Sequence, residues 1–163
     1  MKRFFISFLA VLCIPFCACH AVPAVPDLAG DFTAELSFAL DGREYAASYT
    51  RSGATKTVVF TAPEALCGMT VLQAADGTCT VTVGDLTYGA KAAEHILAFT
   101  RLLAPPAGVL RYESAQDGVY CFAGRDGADA YTVYTDQSGL LLRVCGRVEG
   151  REYEIQILRM ERE

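Results

Sequence analysis

The sequence predicts a mainly β, α+β fold: a curved antiparallel sheet, or incomplete β-barrel, of about ten strands covered by one main helix. Three observations predict it. Short runs alternate apolar and polar residues from residue 32 almost to the C-terminus, turn dipeptides rich in Gly and Asp punctuate those runs, and one segment shows helical spacing.

Each element follows from its local pattern. Phe32, Ala34, Leu36, Phe38 and Leu40 alternate with Thr33, Glu35, Ser37 and Ala39, the signature of a strand with one wet face. Asp41-Gly42 turns the chain into 43–51, where Tyr45, Ala47 and Tyr49 share a side. Ser52-Gly53-Ala54 turns it again into 55–61, which carries Val58 and Phe60 inward. Pro63 breaks the ladder, and Pro63-Glu64-Ala65-Leu66 suits one helical turn. A hairpin follows, 69–74 and 78–83 about an Asp76-Gly77 turn, and then a short strand at Leu86-Thr87-Tyr88. In 90–104 the period changes. Ala92, Ala93, Ile96, Phe99, Leu102 and Leu103 fall at three-and-four spacing, the pattern of an amphipathic helix, and Pro105-Pro106 ends it. A closing meander occupies 109–113, 119–123, 131–135, 140–148 and 151–159. Its turns fall at Asp126-Gly127, Ser138-Gly139 and Glu149-Gly150, and Leu142, Val144 and Val148 are expected on one face.

Ahead of the domain stands an export signal. Lys2 and Arg3 precede an apolar stretch at 4–14, Pro15 ends it, and small residues follow at Ala18 and Ala21. The stretch is short for a bilayer span, which takes about 20 residues. Phe16-Cys17-Ala18-Cys19 resembles a lipobox, with Ala18 before the acceptor and Phe16 where Leu is usual. The expectation is a signal peptide over 1–19, lipidation of Cys19, a Pro-stiffened tether over 20–29 and a single antiparallel β domain over 30–163. Ordinary cleavage after Ala21 or Ala24, giving a secreted protein, is the alternative.

Composition narrows the partners. The chain of 163 residues has 14 Lys and Arg against 19 Asp and Glu, a net charge of −5; without Lys2 and Arg3, 12 against 19 gives −7. The basic residues are scattered, so no nucleic-acid partner is expected. Of seven cysteines, Cys13, Cys17 and Cys19 belong to the signal region. The expected hairpin sets Cys79 opposite Ala74, far from Cys67, and Cys121 and Cys145 fall two strands apart, at about 9–10 Å. Free, mostly buried thiols are therefore favoured over disulfides.

A lipobox-like signal, a strand meander, Pro63-Glu64-Ala65-Leu66-Cys67-Gly68, a hairpin, a helix and a closing meander together resemble the LolA/LolB-type lipoprotein-carrier superfamily, in particular small Gram-positive-type envelope lipoproteins. The resemblance implies an incomplete β-barrel plugged by helix, with an apolar cavity that accepts acyl chains.

No catalytic constellation is visible. His95 is the one histidine of the domain and is expected at the surface, and neither a nucleophile elbow nor a zinc or phosphate motif occurs. Asp126, Asp129 and Asp136 fall at turns, where Asp is favoured for local backbone bonds, without a recognisable calcium-ligand spacing. No enzyme activity, cofactor or metal is expected. Phe32, Leu36, Phe38, Tyr45, Tyr49, Phe60, Ile96, Phe99, Tyr153 and Ile155 are the candidate cavity residues, gathered between the sheet and a helical lid at 90–104. The functional expectation is non-catalytic binding of a lipid or other apolar ligand by a membrane-tethered protein on the extracytoplasmic face. A filled-core module that binds an envelope protein partner is the alternative.

Overall fold

The computed structural model describes residues 23–40, 42–89 and 93–162. Its body is one antiparallel sheet of eleven strands. The first meander comprises β1 (Phe32–Leu40), β2 (Arg43–Ser52), β3 (Thr55–Ala62), β4 (Thr70–Gln73), β5 (Cys79–Val83) and β6 (Leu86–Gly89). The second comprises β7 (Arg111–Gln116), β8 (Val119–Asp126), β9 (Asp129–Thr135), β10 (Leu141–Val148) and β11 (Arg151–Arg162). The order is β6-β5-β4-β3-β2-β1-β11-β10-β9-β8-β7, so the first and last strands meet in the middle and join the two meanders. The predicted signal, Cys19 and Asp41 lie outside the described residues.

The sheet must curl. Its edges, β6 and β7, are consecutive in the chain, yet ten strand spacings of ~4.8 Å would separate them by roughly 48 Å if it were flat. The intervening chain crosses the concave face instead and is buried there: Leu97, Ala98, Phe99, Leu102 and Leu103 all lie in the core. Strand twist alone starts the curl, and four register breaks add to it. They fall in β1–β11, β2–β3, β9–β10 and β7–β8. Gly146 and Gly124 allow the closest approaches. A Cβ on Gly146 would stand 2.1 Å from the Ala130 carbonyl oxygen, and one on Gly124 would stand 2.2 Å from that of Val109.

Three expectations are corrected. The main helix of 90–104 is not found; its first three residues lie outside the described residues. Ala93–Ile96 makes one short turn, α1, and Ala98–Arg101 is 3₁₀. Hydrogen bonds run i to i+3 from Leu97 to Ala104, and the Thr100 hydroxyl donates to the Leu97 carbonyl at 2.7 Å, competing for an α-helical acceptor. The β4–β5 turn also differs. Ala74 N–H donates to the Thr78 carbonyl, leaving a three-residue loop, and Cys79 pairs with Gln73 rather than Ala74. Finally, the irregularity between Leu141 and Arg143 turns Leu141, not Leu142, into the core beside Val144 and Val148.

Other expectations hold in whole or in part. Inward alternation along β1 is as read, with Phe32, Ala34, Leu36 and Phe38 buried. Glu64–Leu66 forms the single helical turn after Pro63. None of Cys67, Cys79, Cys121 and Cys145 is in a disulfide, as expected, but they are not mostly buried as expected: only Cys79 is buried, Cys121 and Cys145 are half-buried and Cys67 is exposed.

Candidate ligand cavity

Phe38 is the hub of the site. It lies directly opposite Tyr45 across β1–β2, and the two rings stack with centroids 5.4 Å apart. Phe99, carried in by the crossing segment, stacks on the other side of Phe38 at 4.5 Å. Phe60 on β3 closes the group, tilted at 6.5 Å from Phe38 and edge-on to Tyr45 at 6.4 Å. Such offset and edge contacts satisfy the ring quadrupoles better than a face-to-face stack would.

Beside this cluster a cavity of about 330 Å³ opens toward solvent. The aromatic rings form its floor. Leu40 extends it along β1, Leu66 and Met69 form a wall after β3, and Ile96 and His95 cover it from the crossing segment. Arg151, the first residue of β11, stands at its rim.

The structure therefore divides the predicted cavity residues. Phe38, Tyr45, Phe60, Ile96 and Phe99 line the cavity. Phe32, Leu36, Tyr49 and Ile155 are packed in the filled part of the core instead, Phe32 against Tyr49 at 5.4 Å. Tyr153 borders an adjoining hollow of about 440 Å³ that His95, Glu149 and Arg151 also line. Sequence reading missed Leu66, Met69 and Arg151 as cavity residues. Leu66 sits in a single helical turn without periodicity, Met69, expected to start a strand, instead precedes β4, and nothing local marks an arginine as facing a cavity built by distant strands. Leu40 was discoverable, since it continues the β1 alternation.

A polar clasp fixes the crossing segment over the cavity. His95 Nδ1 lies 3.0 Å from Glu149 Oε2, and its side chain is 75% exposed, as expected for a surface histidine. Arg101 reaches Asp129 at 2.5 Å and Glu149 at 3.7 Å. Asp129 is nearly buried and accepts from the Glu149 N–H as well. Glu149 has φ of +52° and Gly150 of +79°, the left-handed pair a two-residue hairpin turn requires. That turn brings Glu149 to both His95 and Arg101. Asp136 and Asp76 serve loops: each accepts from the Ser138 or Thr78 N–H and hydroxyl, and those bonds lower its pKa. Among the described residues, no group of three His, Cys, Asp or Glu side chains could hold a metal ion.

A larger depression, about 570 Å³, lies on the outer face. It is bordered by Arg147, Glu152 and Glu154, which are engaged in cross-strand ion pairs, Arg147 with Glu152 at 2.6 Å and Glu154 with Arg143 at 3.1 Å. The rest of its lining is mostly small, Ala39, Ala128, Ala130, Thr132, Cys145 and Gly146, and it is wide open to solvent.

No protein-family model matches the sequence, and no curated protein matches it. Solved structures do. An uncharacterized conserved protein from Thermus thermophilus is similar at 14% identity over 83% of this chain and 80% of that one, with a TM-score of 0.51. MucB is similar at 14% identity over 85% of this chain, with a TM-score of 0.53; the chain spans 55% of MucB. The likeness is one of fold. A LolA superfamily protein, NE2245 from Nitrosomonas europaea, is also among the similar structures, at 13% identity over 85% of this chain and 89% of that one, with a TM-score of 0.48. The Thermus protein and MucB, both with TM-scores above 0.5, share the fold of this chain.

Proposed function

We propose that this is an exported envelope protein, anchored by lipid at Cys19, that holds a lipid or another apolar ligand between its sheet and the crossing segment. The aromatic-floored cavity beside Phe38 carries the reading. Its volume falls in the lower part of the ~300–1,000 Å³ range of ligand sites. It is also apolar where a ligand would lie and polar only at the rim. Burial of apolar ligand surface, at roughly 25 cal/mol per Å², would supply affinity without covalent chemistry. The short crossing segment, tied down by the Arg101–Asp129 and His95–Glu149 contacts, would act as the cover.

Mass spectrometry of the protein taken from native membranes tests both parts. The expected result is a diacylated N-terminal Cys19 and a co-purifying lipid. Protein that carries neither would overturn the reading.

One observation favours a second reading, a protein-interaction module. Edge strand β6 exposes Leu86 (72%) and Tyr88 (51%), with Val83 beside them on β5 (47%). An unpaired apolar edge is suited to strand addition. A stable complex with an envelope protein, lost on substituting Leu86 and Tyr88 and formed by lipid-free protein, would favour it.

A further inference from the structure

The cavity reading leaves open what kind of apolar ligand fits, and Arg151 bears on that. Its side chain lines both the apolar cavity and the adjoining polar hollow, so it stands where the two meet. Among the described residues it forms no ion pair. Glu149 lies only two residues away. Its carboxylate is drawn instead to His95 at 3.0 Å and Arg101 at 3.7 Å, while Asp129 is drawn to Arg101. Among the described residues the nearby acids thus face other partners, and the Arg151 guanidinium has no paired carboxylate beside a chamber floored by four aromatic rings.

We propose that the cavity takes a single-chain amphiphile with an anionic head, a long-chain carboxylate, whose chain lies along Phe38, Phe60 and Phe99 and whose head pairs with Arg151. This rests on the cavity reading above. Charge complementarity argues for the head: a planar guanidinium donates in the fork geometry that a carboxylate accepts. Volume argues for one chain, since about 330 Å³ is near the lower limit for ligand sites. The adjoining hollow, bordered by His95, Glu149, Arg151 and Tyr153, gives the hydrated head room outside the apolar part. The source of the carboxylate matters too: a free small acid offers the same head without the chain.

Calorimetric titration of the delipidated protein with decanoate, decanol and acetate separates these possibilities at about pH 8, well above a carboxylate pKa of about 4–5. The expected result is decanoate bound about tenfold more tightly than decanol, a modest factor because Arg151 is exposed to solvent. Arg151→Gln should bring that ratio close to one, and Arg151→Lys should preserve part of it. Equal binding of decanoate and decanol by the unsubstituted protein would overturn the role of Arg151 while leaving the apolar cavity standing. Binding of neither would overturn the cavity reading with it. Acetate bound as tightly as decanoate would mark a plain anion site and overturn the amphiphile.

Discussion

At the scale of single residues, Tyr49 shows how a close-packed interior overrides local chemistry. Alternation along β2 points it inward, and the sheet buries it completely, against Phe32 and opposite Ala34 and Val58. Among the described residues its hydroxyl has no hydrogen-bond partner, a cost of about 1–3 kcal/mol for a buried polar group. Burial pushes its pKa up to about 12, against a nearby arginine that pulls it down. The unfolded chain ionises this group near pH 10 and the folded protein near 12, so its contribution to stability is intact below pH 10 and is lost as pH rises through that interval, by at most about 3 kcal/mol. Tyr49→Phe should therefore be neutral or stabilising at pH 7 and should lose less stability than the parent between pH 9 and about 11; urea unfolding at both pH values measures this. A loss of stability at neutral pH would reveal a hidden partner for the hydroxyl. The same residue marks a limit of sequence reading. Alternation identified which aromatics face inward, but Tyr49 and Phe38 look alike in the sequence, and only the distance to the crossing segment decides that one is packed and the other borders a cavity.

At the scale of elements, curvature and clasp are the two devices that matter. Gly146 lets β10 approach β9 and Leu102 closely. A methyl group there would meet the Ala130 carbonyl at 2.1 Å and the Leu102 side chain at 2.7 Å. Since backbone cannot move aside as a side chain can, Gly146→Ala should cost about 3 kcal/mol, the upper part of the range for overpacking, seen as a lower urea midpoint. An unchanged midpoint would mean that the curl of β9–β10 is soft. The clasp is weaker. Arg101→Ala leaves the nearly buried Asp129 carboxylate without its cation, yet Arg101 is itself half exposed, so about 1–2 kcal/mol is expected. Hydrogen exchange should then speed up first at Leu97 to Leu103; a uniform change across the sheet would argue against a local clasp. The strands were legible because a two-residue period survives short length and irregular ends. The helix was not. Spacing at 92–103 fits a helix, but Thr100 and the i-to-i+3 bonding wind the segment tighter, and it owes its place to burial rather than to helical propensity.

At the scale of the whole molecule, the order of strands makes the cavity. Joining β1 to β11 closes the two meanders into one sheet, leaves β6 and β7 at opposite edges, and obliges the chain between them to cross the concave face. That crossing fills most of the interior and leaves the space beside Phe38 unfilled. Leu66 is only half buried on its wall, so Leu66→Trp should occupy the space, weakening decanol binding at least tenfold while changing stability by less than about 1.5 kcal/mol. Unaltered binding would place the ligand elsewhere. Attachment belongs to the same scale. Cys19→Ala should release the protein from membranes into the medium, and continued retention would defeat the lipid anchor.

The sequence by itself determined the antiparallel meanders, the breaks between them and most inward faces of their strands, the start of β10 excepted, because those depend on period and turn chemistry within a few residues. It also supplies the grounds for the export and anchoring proposal, which rest on 1–19 alone. Only the tertiary structure decided that the predicted helix is a short, tightly wound plug, that Phe38, Tyr45, Phe60 and Phe99 are cavity wall while Phe32 and Tyr49 are core, and that Arg151 faces the cavity. Each of these turns on distances between segments far apart in the chain, set by how eleven strands curl, and no local pattern encodes them.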